Sequence, residues 1–111
     1  MKFKLDPRLE TDSSYICTIG LCQIRMSNDS RYPWLILIPE LADLTEIDDL
    51  SLFQQVEVLK ISNILSKALK TCFKPDKLNT ACLGNIVKQL HIHHVARFEY
   101  DDAWPGPIWG Q

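Results

Sequence analysis

The spacing of hydrophobic positions changes once along the chain, and the change separates short strands from one long helix. Runs of β-branched, aromatic and other apolar residues predict three strands, at residues 15–19, 21–26 and 34–38. Gly20 separates the first two runs. The third run is apolar at every position and ends at Pro39, which is typical of a strand buried on both faces. The polar segment 27–33 predicts a turn, so the strands on either side of it form an antiparallel hairpin.

The second half of the pattern predicts the helix and two more strands. From about Thr45 to Cys72, apolar residues recur at spacings of three and four, at positions Val58, Ile61, Leu65, Ala68 and Cys72. Thr45 and Asp48 have the spacing of a capping box at its start. Strands are expected at residues 77–82 and 88–98, joined by a turn at residues 83–85. The predicted class is α+β, an antiparallel sheet of about five strands with one long helix.

The two ends of the chain carry weaker signals. The first dozen residues have no clear period and are expected to form an irregular lead-in. The tail contains Trp104 and Trp109, and two indoles are costly to leave in water, so it is expected to pack on the surface of the domain. A length of 111 residues fits one domain, spanning residues 1–111.

Net charge, cysteine content and the length of apolar runs narrow the kinds of protein that the chain can be. The net charge of −2 gives no support for a surface that binds duplex nucleic acid. The four cysteines form no Cys-x-x-Cys pair, and their apolar surroundings suggest buried thiols in a reducing compartment. No apolar run reaches the length of a membrane span, and the N-terminus lacks the apolar core of a signal peptide. We therefore expect a cytoplasmic protein.

The segment from Gln89 to Arg97 contains every histidine of the chain. His91, His93 and His94 fall within four residues. In an extended segment, Gln89, His91 and His93 line one face, and His94 points to the other. A row of imidazoles beside an amide suits binding of a phosphate or a metal better than packing in a core.

Two chemistries fit this row. His91 and His93 could chelate a metal as a pair, but no carboxylate or cysteine lies in the same segment, so distant ligands would be needed. Alternatively, a neutral imidazole attacks phosphorus as a nucleophile, and a neighbouring imidazole donates to the phosphate oxygens. Gly84 and Asn85 could bring main-chain N–H groups to the same phosphate.

The order of these residues resembles the histidine triad (HIT) superfamily. The resemblance rests on Leu78-Asn79, on Gly84-Asn85-x-Val87-x-Gln89-x-His91-x-His93 and on Arg97. The family signature is His-x-His-x-His, preceded at fixed spacing by Gly-Gln-x-Val. Upstream, residues 27–39 resemble the first hairpin of the superfamily. Downstream, Trp104-Pro105 resembles the C-terminal element of the Hint branch.

One departure from the signature is Gln89, which occupies the place of the first histidine. A competing register would make His91 the first histidine and His93 the nucleophile. The distance from Gly84 to Gln89 and the position of Arg97, four residues after His93, both favour His91 as the nucleophile. Gln-x-His-x-His is interpreted as a bacterial variant of the motif, although glutamine cannot relay a proton.

The resemblance implies roles for seven residues. His91 attacks the α-phosphorus of a nucleotide, His93 donates a hydrogen bond to the phosphate or the bridging oxygen, and Gln89 takes the first-histidine role as a hydrogen-bonding group. Nucleotide-binding positions are Asp29, Asn79, Gly84 and Asn85. Asp29 and Asn79 also fit local roles, in a turn and in backbone capping.

The implied activity is that of a Hint- or Fhit-like nucleotide hydrolase or transferase, acting through a nucleotidyl-histidine intermediate on a nucleoside phosphoramidate, dinucleoside polyphosphate or adenylylated conjugate. The motif requires no metal or cofactor, and family members commonly form homodimers. Gln89 keeps a noncatalytic nucleotide-binding module as an alternative, and a metal-binding protein is a further one. Processing of nucleic-acid ends is disfavoured by the lack of basic runs, so neither a nucleic acid nor a membrane is expected as partner.

Overall fold

The structure, a computed structural model, describes residues 2–110, and its centre is one open antiparallel sheet with the strand order β1-β2-β3-β5-β4. The elements in chain order are α1 (Pro7–Asp12), β1 (Ser13–Ile19), β2 (Cys22–Ser27), β3 (Trp34–Pro39), a 3-10 turn (Ile47–Asp49), α2 (Leu52–Phe73), β4 (Lys77–Ala81) and β5 (Ile92–Arg97). The five-stranded sheet with one long helix confirms the predicted α+β class.

The first three strands follow the predicted hairpins. Gly20 has a φ of +54°, a conformation that glycine adopts without a Cβ penalty, and it turns the chain from β1 into β2. The polar segment 28–33 then connects β2 to β3. β3 lies between β2 and β5 and is buried from Leu35 to Pro39, as its continuous apolar run predicts.

Helix α2 starts later than its period suggested. Ser51 is the N-cap: its Oγ accepts from Gln54 N at 3.1 Å, and Gln54 Oε1 accepts from Ser51 N at 2.9 Å. The predicted start at Thr45 is wrong because the Asp49 carboxylate accepts from the amides of Thr45 and Glu46, which closes a separate 3-10 turn. The extended backbone at Leu50 then interrupts the chain before α2 begins.

The buried stripe of α2 is confirmed in its first half and wrong in its second. Val58, Ile61 and Leu65 pack against the sheet as predicted. The fourth buried residue is Leu69, while Ala68 and Cys72 face solvent. Alternating spacings of three and four assume 3.5 residues per turn, whereas a straight helix has 3.6, so the buried face moves one position along by the last turns.

Loss of the N-cap should weaken α2. Ser51→Ala removes the acceptor for Gln54 N, and the free energy of unfolding should fall by about 1 kcal/mol. Urea unfolding followed by far-UV circular dichroism measures the change. Ser66→Ala, in the middle of the same helix, is the matched control, and it should be neutral or slightly stabilising because alanine has the higher helix propensity. Equal losses from both substitutions would contradict the assignment of the cap.

The N-terminal lead-in is helical rather than irregular. The Asp6 carboxylate caps α1 by accepting from Arg8 N at 2.9 Å, and Pro7 occupies the first helical position. This Asp-Pro signal was present in the sequence, but the helix is too short to show a period. Leu9 of α1 packs against Ile36 and Ile38, on the sheet face opposite α2.

The last strand is shorter than predicted. β5 begins at Ile92, so Gln89, Leu90 and His91 precede it rather than forming part of it. Leu90 N donates to Leu44 O at 2.9 Å, which draws this segment away from the sheet ladder. The simple alternation of faces therefore applies only from Ile92 onward.

The C-terminal tail packs on the domain as expected, but the burial expected for all four cysteines is found only for Cys22. Ile108 is buried with Tyr32 and Val95, so the C-terminal segment covers part of the sheet face opposite α2. All four cysteines are free thiols, but only Cys22 is buried, while two of the others are exposed. Burial raises the pKa of the Cys22 thiol to about 12. Among residues 2–110, α2 and the shorter helical segments lack the length and apolar character needed to cross a membrane.

Candidate active site

A cleft of about 510 Å³ lies beside the segment that leads into β5. Its lining includes Glu46, Gly84, Asn85, Lys88, Gln89 and His91. The structure therefore brings together four of the predicted site residues around one cavity. They reach it from a single stretch of chain, the irregular connection between β4 and β5.

His91 is oriented by the main chain of Gln89. Its Nδ1 lies 2.6 Å from the Gln89 carbonyl oxygen, and the side chain is buried, with the residue 6% exposed. A carbonyl oxygen can only accept, so Nδ1 carries the proton. In the neutral ring Nε2 then has an unprotonated lone pair, which is the state that a nucleophilic imidazole requires.

His93 has the opposite tautomer. Trp34 Nε1 donates to His93 Nδ1 at 2.9 Å, so the proton of the neutral ring lies on Nε2. Burial lowers the pKa of His93 to about 3, and the nearby His91 and His94 contribute to the shift. His93 is therefore neutral near pH 7 and presents an N–H donor. Its ring centroid lies 4.8 Å from that of His91, with the two rings nearly perpendicular.

Trp34 contacts the histidine row, although the sequence pattern places it only in an apolar strand. Trp34 pairs with Val95 across the β3–β5 ladder, which places its side chain diagonal to His93 on the same face. Trp109 of the tail approaches the other side, with its ring centroid 5.5 Å from that of His93. Only the residue pairing between β3 and β5 reveals the contact between Trp34 and His93, and the sequence alone does not give that pairing.

The side chain of Gln89 is bonded to the N-terminal segment. Its Oε1 accepts from Asp6 N and its Nε2 donates to Lys4 O, both at 2.8 Å. Both ends of the amide are thus engaged away from His91, although Gln89 lies on the wall of the cleft. The contribution of Gln89 to His91 comes from its main-chain carbonyl.

Gly84 and Asn85 belong to a loop that turns tightly at the cleft. A Cβ at Gly84 would lie 3.3 Å from Val87 O, so glycine permits the close approach of the backbone there. Arg8 Nη1 donates to Ile86 O at 3.2 Å and ties the loop to α1. The predicted placement of Gly84 and Asn85 beside the row is found, with Lys88 adding a positive charge at the same wall.

Asp29 and Asn79 do not line this cleft. Asp29 forms an ion pair with Arg31 at 2.8 Å in the β2–β3 connection, and Arg31 holds the pKa of that carboxyl below its ordinary value. Asn79 Oδ1 accepts from Arg97 Nη1 at 2.7 Å. Asp29 has the turn role that the sequence also allows, because its carboxylate accepts from Arg31 N at 3.0 Å. Asn79 bonds to a side chain of the neighbouring strand β5 and does not cap the backbone, so its alternative role is not found.

His94 lies on the opposite sheet face, as the alternation within a strand predicts. Its Nδ1 donates to Ile92 O at 3.2 Å, and its Nε2 accepts from Ser62 Oγ of α2 at 2.7 Å. Burial lowers the pKa of His94. This histidine therefore joins β5 to the helix and is separated by the sheet from the His91–His93 pair. Within residues 2–110, no three His, Cys, Asp or Glu side chains converge in a way that could hold a metal ion.

Comparison with known proteins identifies the family. The HIT domain model matches residues 8–100. A histidine triad protein from Sinorhizobium meliloti 1021 is 48% identical, with a TM-score of 0.95 over 97% of this chain and 80% of that one. Similar structures come from Bradyrhizobium japonicum (43% identical, TM-score 0.97, 99% and 82% covered) and Marinobacter aquaeolei VT8 (41% identical, TM-score 0.98, 100% and 81% covered).

The protein therefore belongs to the HIT family, which is known for nucleotide hydrolases and transferases. The match confirms the resemblance read from the histidine motif. No curated protein matches the chain.

Proposed function

We propose that the protein is a nucleotide hydrolase or transferase in which His91 forms a covalent nucleotidyl intermediate. The observation that carries the proposal is the hydrogen bond from His91 Nδ1 to the Gln89 carbonyl, because it leaves Nε2 unprotonated at the wall of a cleft. The substrate classes are nucleoside phosphoramidates, dinucleoside polyphosphates and adenylylated conjugates, which share an α-phosphorus bearing a leaving group.

The reaction has two displacements at phosphorus. His91 Nε2 forms a bond to the α-phosphorus, the bond from phosphorus to the leaving group breaks, and the leaving group departs with the electron pair. The intermediate is a phosphoramidate on an imidazolium ring that still donates from Nδ1 to Gln89 O. Water then adds to phosphorus and loses a proton to solvent, the P–Nε2 bond breaks, and the neutral imidazole of His91 is restored. In a transferase, another acceptor replaces water.

Hydrogen-bond donors near Nε2 stabilise the charge that develops on the phosphate. His93 offers its Nε2–H, because Trp34 occupies its Nδ1. The loop at Gly84 and Asn85 offers main-chain N–H groups, and Lys88 supplies a positive charge at the cleft. Donors fixed in place before the reaction lower the barrier without reorganisation. In this proposal Gln89 acts through its carbonyl, and its side chain holds the N-terminal segment.

Intact-protein mass spectrometry tests the proposal. The protein is mixed with adenosine phosphoramidate or diadenosine tetraphosphate and quenched rapidly without acid, and released AMP is measured in parallel. An adenylate-sized adduct together with AMP release supports the nucleotidyl-histidine mechanism. Binding of AMP without an adduct or release would reject it in favour of the noncatalytic nucleotide-binding alternative, for which the replacement of the first histidine by Gln89 is the motivating observation.

We further propose that two copies pair through α2 and the β4 edge. Leu52 and Phe53 are 79% and 76% exposed, and Val56 and Leu59 are also exposed. Part of this surface lines an apolar groove of about 770 Å³ between α2 and β4. β4 pairs with β5 on one side and ends the sheet on the other, so it can accept a further strand.

Light scattering after gel filtration tests the pairing. Wild type should have the mass of two chains, and Leu59→Glu should lower it to that of one, because a carboxylate in an apolar interface is costly to desolvate. Ile16→Glu is the control, since Ile16 is exposed on β1 at the far edge of the sheet. A wild-type mass of one chain would reject the homodimer.

A further inference from the structure

We propose that Trp34 is a positioning residue for the reaction: its indole N–H fixes the ring orientation and the tautomer of His93, so that Nε2–H of His93 is the group presented to the substrate. The inference rests on the proposed function, because it explains how His93 becomes a donor there. It concerns a residue outside the histidine motif, 59 positions away from His93 in the chain.

The geometry allows only one arrangement of protons. An indole nitrogen donates and never accepts, so the atom 2.9 Å from Trp34 Nε1 must have a lone pair. That atom is Nδ1 of His93. Rotation of the ring by half a turn would place a C–H group against the indole N–H and leave a buried donor without a partner, which is unfavourable. Trp34 thus selects both the orientation and the tautomer.

The surroundings of His93 make this selection necessary. The ring is buried between Trp34, Trp109 and His91, whose ring centroids lie 5.4, 5.5 and 4.8 Å away. Aromatic faces and edges fix the position of the ring but do not distinguish one nitrogen from the other. Among these neighbours, Trp34 is the one that forms a hydrogen bond with His93 within the described chain.

The two imidazoles then have complementary roles, each set by the hydrogen-bond partner of its Nδ1. The Gln89 carbonyl keeps the proton of His91 on Nδ1, and the Trp34 indole keeps the proton of His93 on Nε2. One ring is left with a lone pair at Nε2 and its neighbour with a proton at Nε2. A nucleophile and a hydrogen-bond donor are therefore produced from two identical side chains.

Trp109 provides a matched comparison within the same protein. It is also an indole beside His93, but its Nε1 is buried and has no hydrogen-bond partner among residues 2–110. Trp109→Phe therefore removes the same chemical group from the same neighbourhood without breaking a bond to His93. Trp34→Phe removes the bond itself and retains an aromatic ring.

Nuclear magnetic resonance of ¹⁵N-labelled wild type tests the inference without any substitution. We expect a scalar coupling across the hydrogen bond between Trp34 Nε1 and His93 Nδ1, and a proton on His93 Nε2. Absence of the coupling, or a proton on His93 Nδ1, would overturn the inference. Because this measurement needs no turnover, it remains decisive even if the Trp34→Phe variant folds poorly.

Kinetics of the variants supply the second readout. Trp34→Phe should lower kcat for AMP release by about 10- to 100-fold, by analogy with the loss of partners that orient metal-ligating histidines, and should alter the ¹⁵Nδ1 shift of His93. Trp109→Phe should leave that shift nearly unchanged and have a smaller effect on kcat. Equal effects from both variants would reduce Trp34 to a packing residue and reject the proposal.

The two proposals can fail separately. If wild type shows the coupling but forms no adenylate adduct, the proposed function fails, while the control of His93 by Trp34 stands as a property of the fold. If wild type forms the adduct but lacks the coupling, the nucleotidyl mechanism stands and the role of Trp34 is rejected.

Discussion

His91→Ala is expected to abolish nucleotidyl transfer, lowering kcat by about 10⁴- to 10⁶-fold, as removal of a covalent nucleophile does in other enzymes. The reason is that no adduct can form when Nε2 is absent, whereas the cleft and its donors persist. AMP release and adduct mass are measured together, on protein whose circular dichroism matches that of wild type. AMP release that persists in His91→Ala would reject the assignment of the nucleophile.

His93→Ala separates the two registers of the motif. If His91 is the nucleophile, the His93 variant should still form the adduct, but with kcat lower by roughly 10²- to 10³-fold, the range for loss of one transition-state donor. If His93 is the nucleophile, the adduct disappears in this variant and persists in His91→Ala. The orientation of His91 by the Gln89 carbonyl favours the first outcome.

His94→Gln is a useful control for both substitutions. His94 belongs to the same histidine run, but it faces α2 and bonds to Ser62 on the other side of the sheet. Its replacement should lower stability through the loss of a buried hydrogen bond while leaving adduct formation intact. A loss of the adduct at temperatures where this variant is folded would mean that the site depends on both sheet faces.

The sheet and the helix could be predicted because their signals are local. Apolar runs of strand length and a change to helical spacing are properties of neighbouring residues, and they gave the class and most strand positions. The errors in helix boundaries lie where a side-chain hydrogen bond caps a helix or closes a turn. Asp49 closes a separate turn before α2, and Asp6 caps a helix too short to be periodic.

The motif residues of the candidate site could be predicted from the sequence, but the distant residues that contact them could not. His91, His93 and the glycine loop are close in sequence, so spacing was enough to group them. Gln89 contacts Asp6 across 83 positions and Trp34 contacts His93 across 59. Such contacts depend on the strand order and on the path of the N-terminal segment, which spacing within one motif does not contain.

Arg97→Met is expected to be the most destabilising change outside the cleft, lowering the free energy of unfolding by about 3–5 kcal/mol. The side chains of Arg97 and Asp101 are only 2% and 4% exposed, and Arg97 Nε lies 2.8 Å from Asp101 Oδ2. Removal of the guanidinium leaves the carboxylate buried without its counter-charge. The Asn79 and Gly106 oxygens also lose their donor. Denaturant unfolding at pH 7 measures the loss.

The pH dependence of this loss identifies its cause. Arg97 holds the pKa of Asp101 well below its usual range, chiefly through their hydrogen bonds. A carboxyl with a depressed pKa contributes stability above its unfolded value of about 3.9 and loses that contribution as the pH falls toward the folded value. The difference between wild type and Arg97→Met should therefore be largest above about pH 4 and shrink below it. A difference that is constant with pH would indicate lost packing instead.

A double substitution separates the cost of an unpaired buried charge from the role of Arg97 in holding the C-terminal tail. Arg97→Met combined with Asp101→Leu removes both charges, so the part of the loss that comes from the unpaired carboxylate should return. The part that comes from the unpaired oxygens of Asn79 and Gly106 should remain, and the amides of Phe98 and Trp104 lose their acceptor as well. Activity should not return with it. Arg97 bonds to Gly106 O and thereby holds the tail that places Trp109 beside His93. A double variant that is folded but has reduced kcat would indicate that the buried arginine keeps the tail beside His93 in place, and full recovery of kcat would contradict that role.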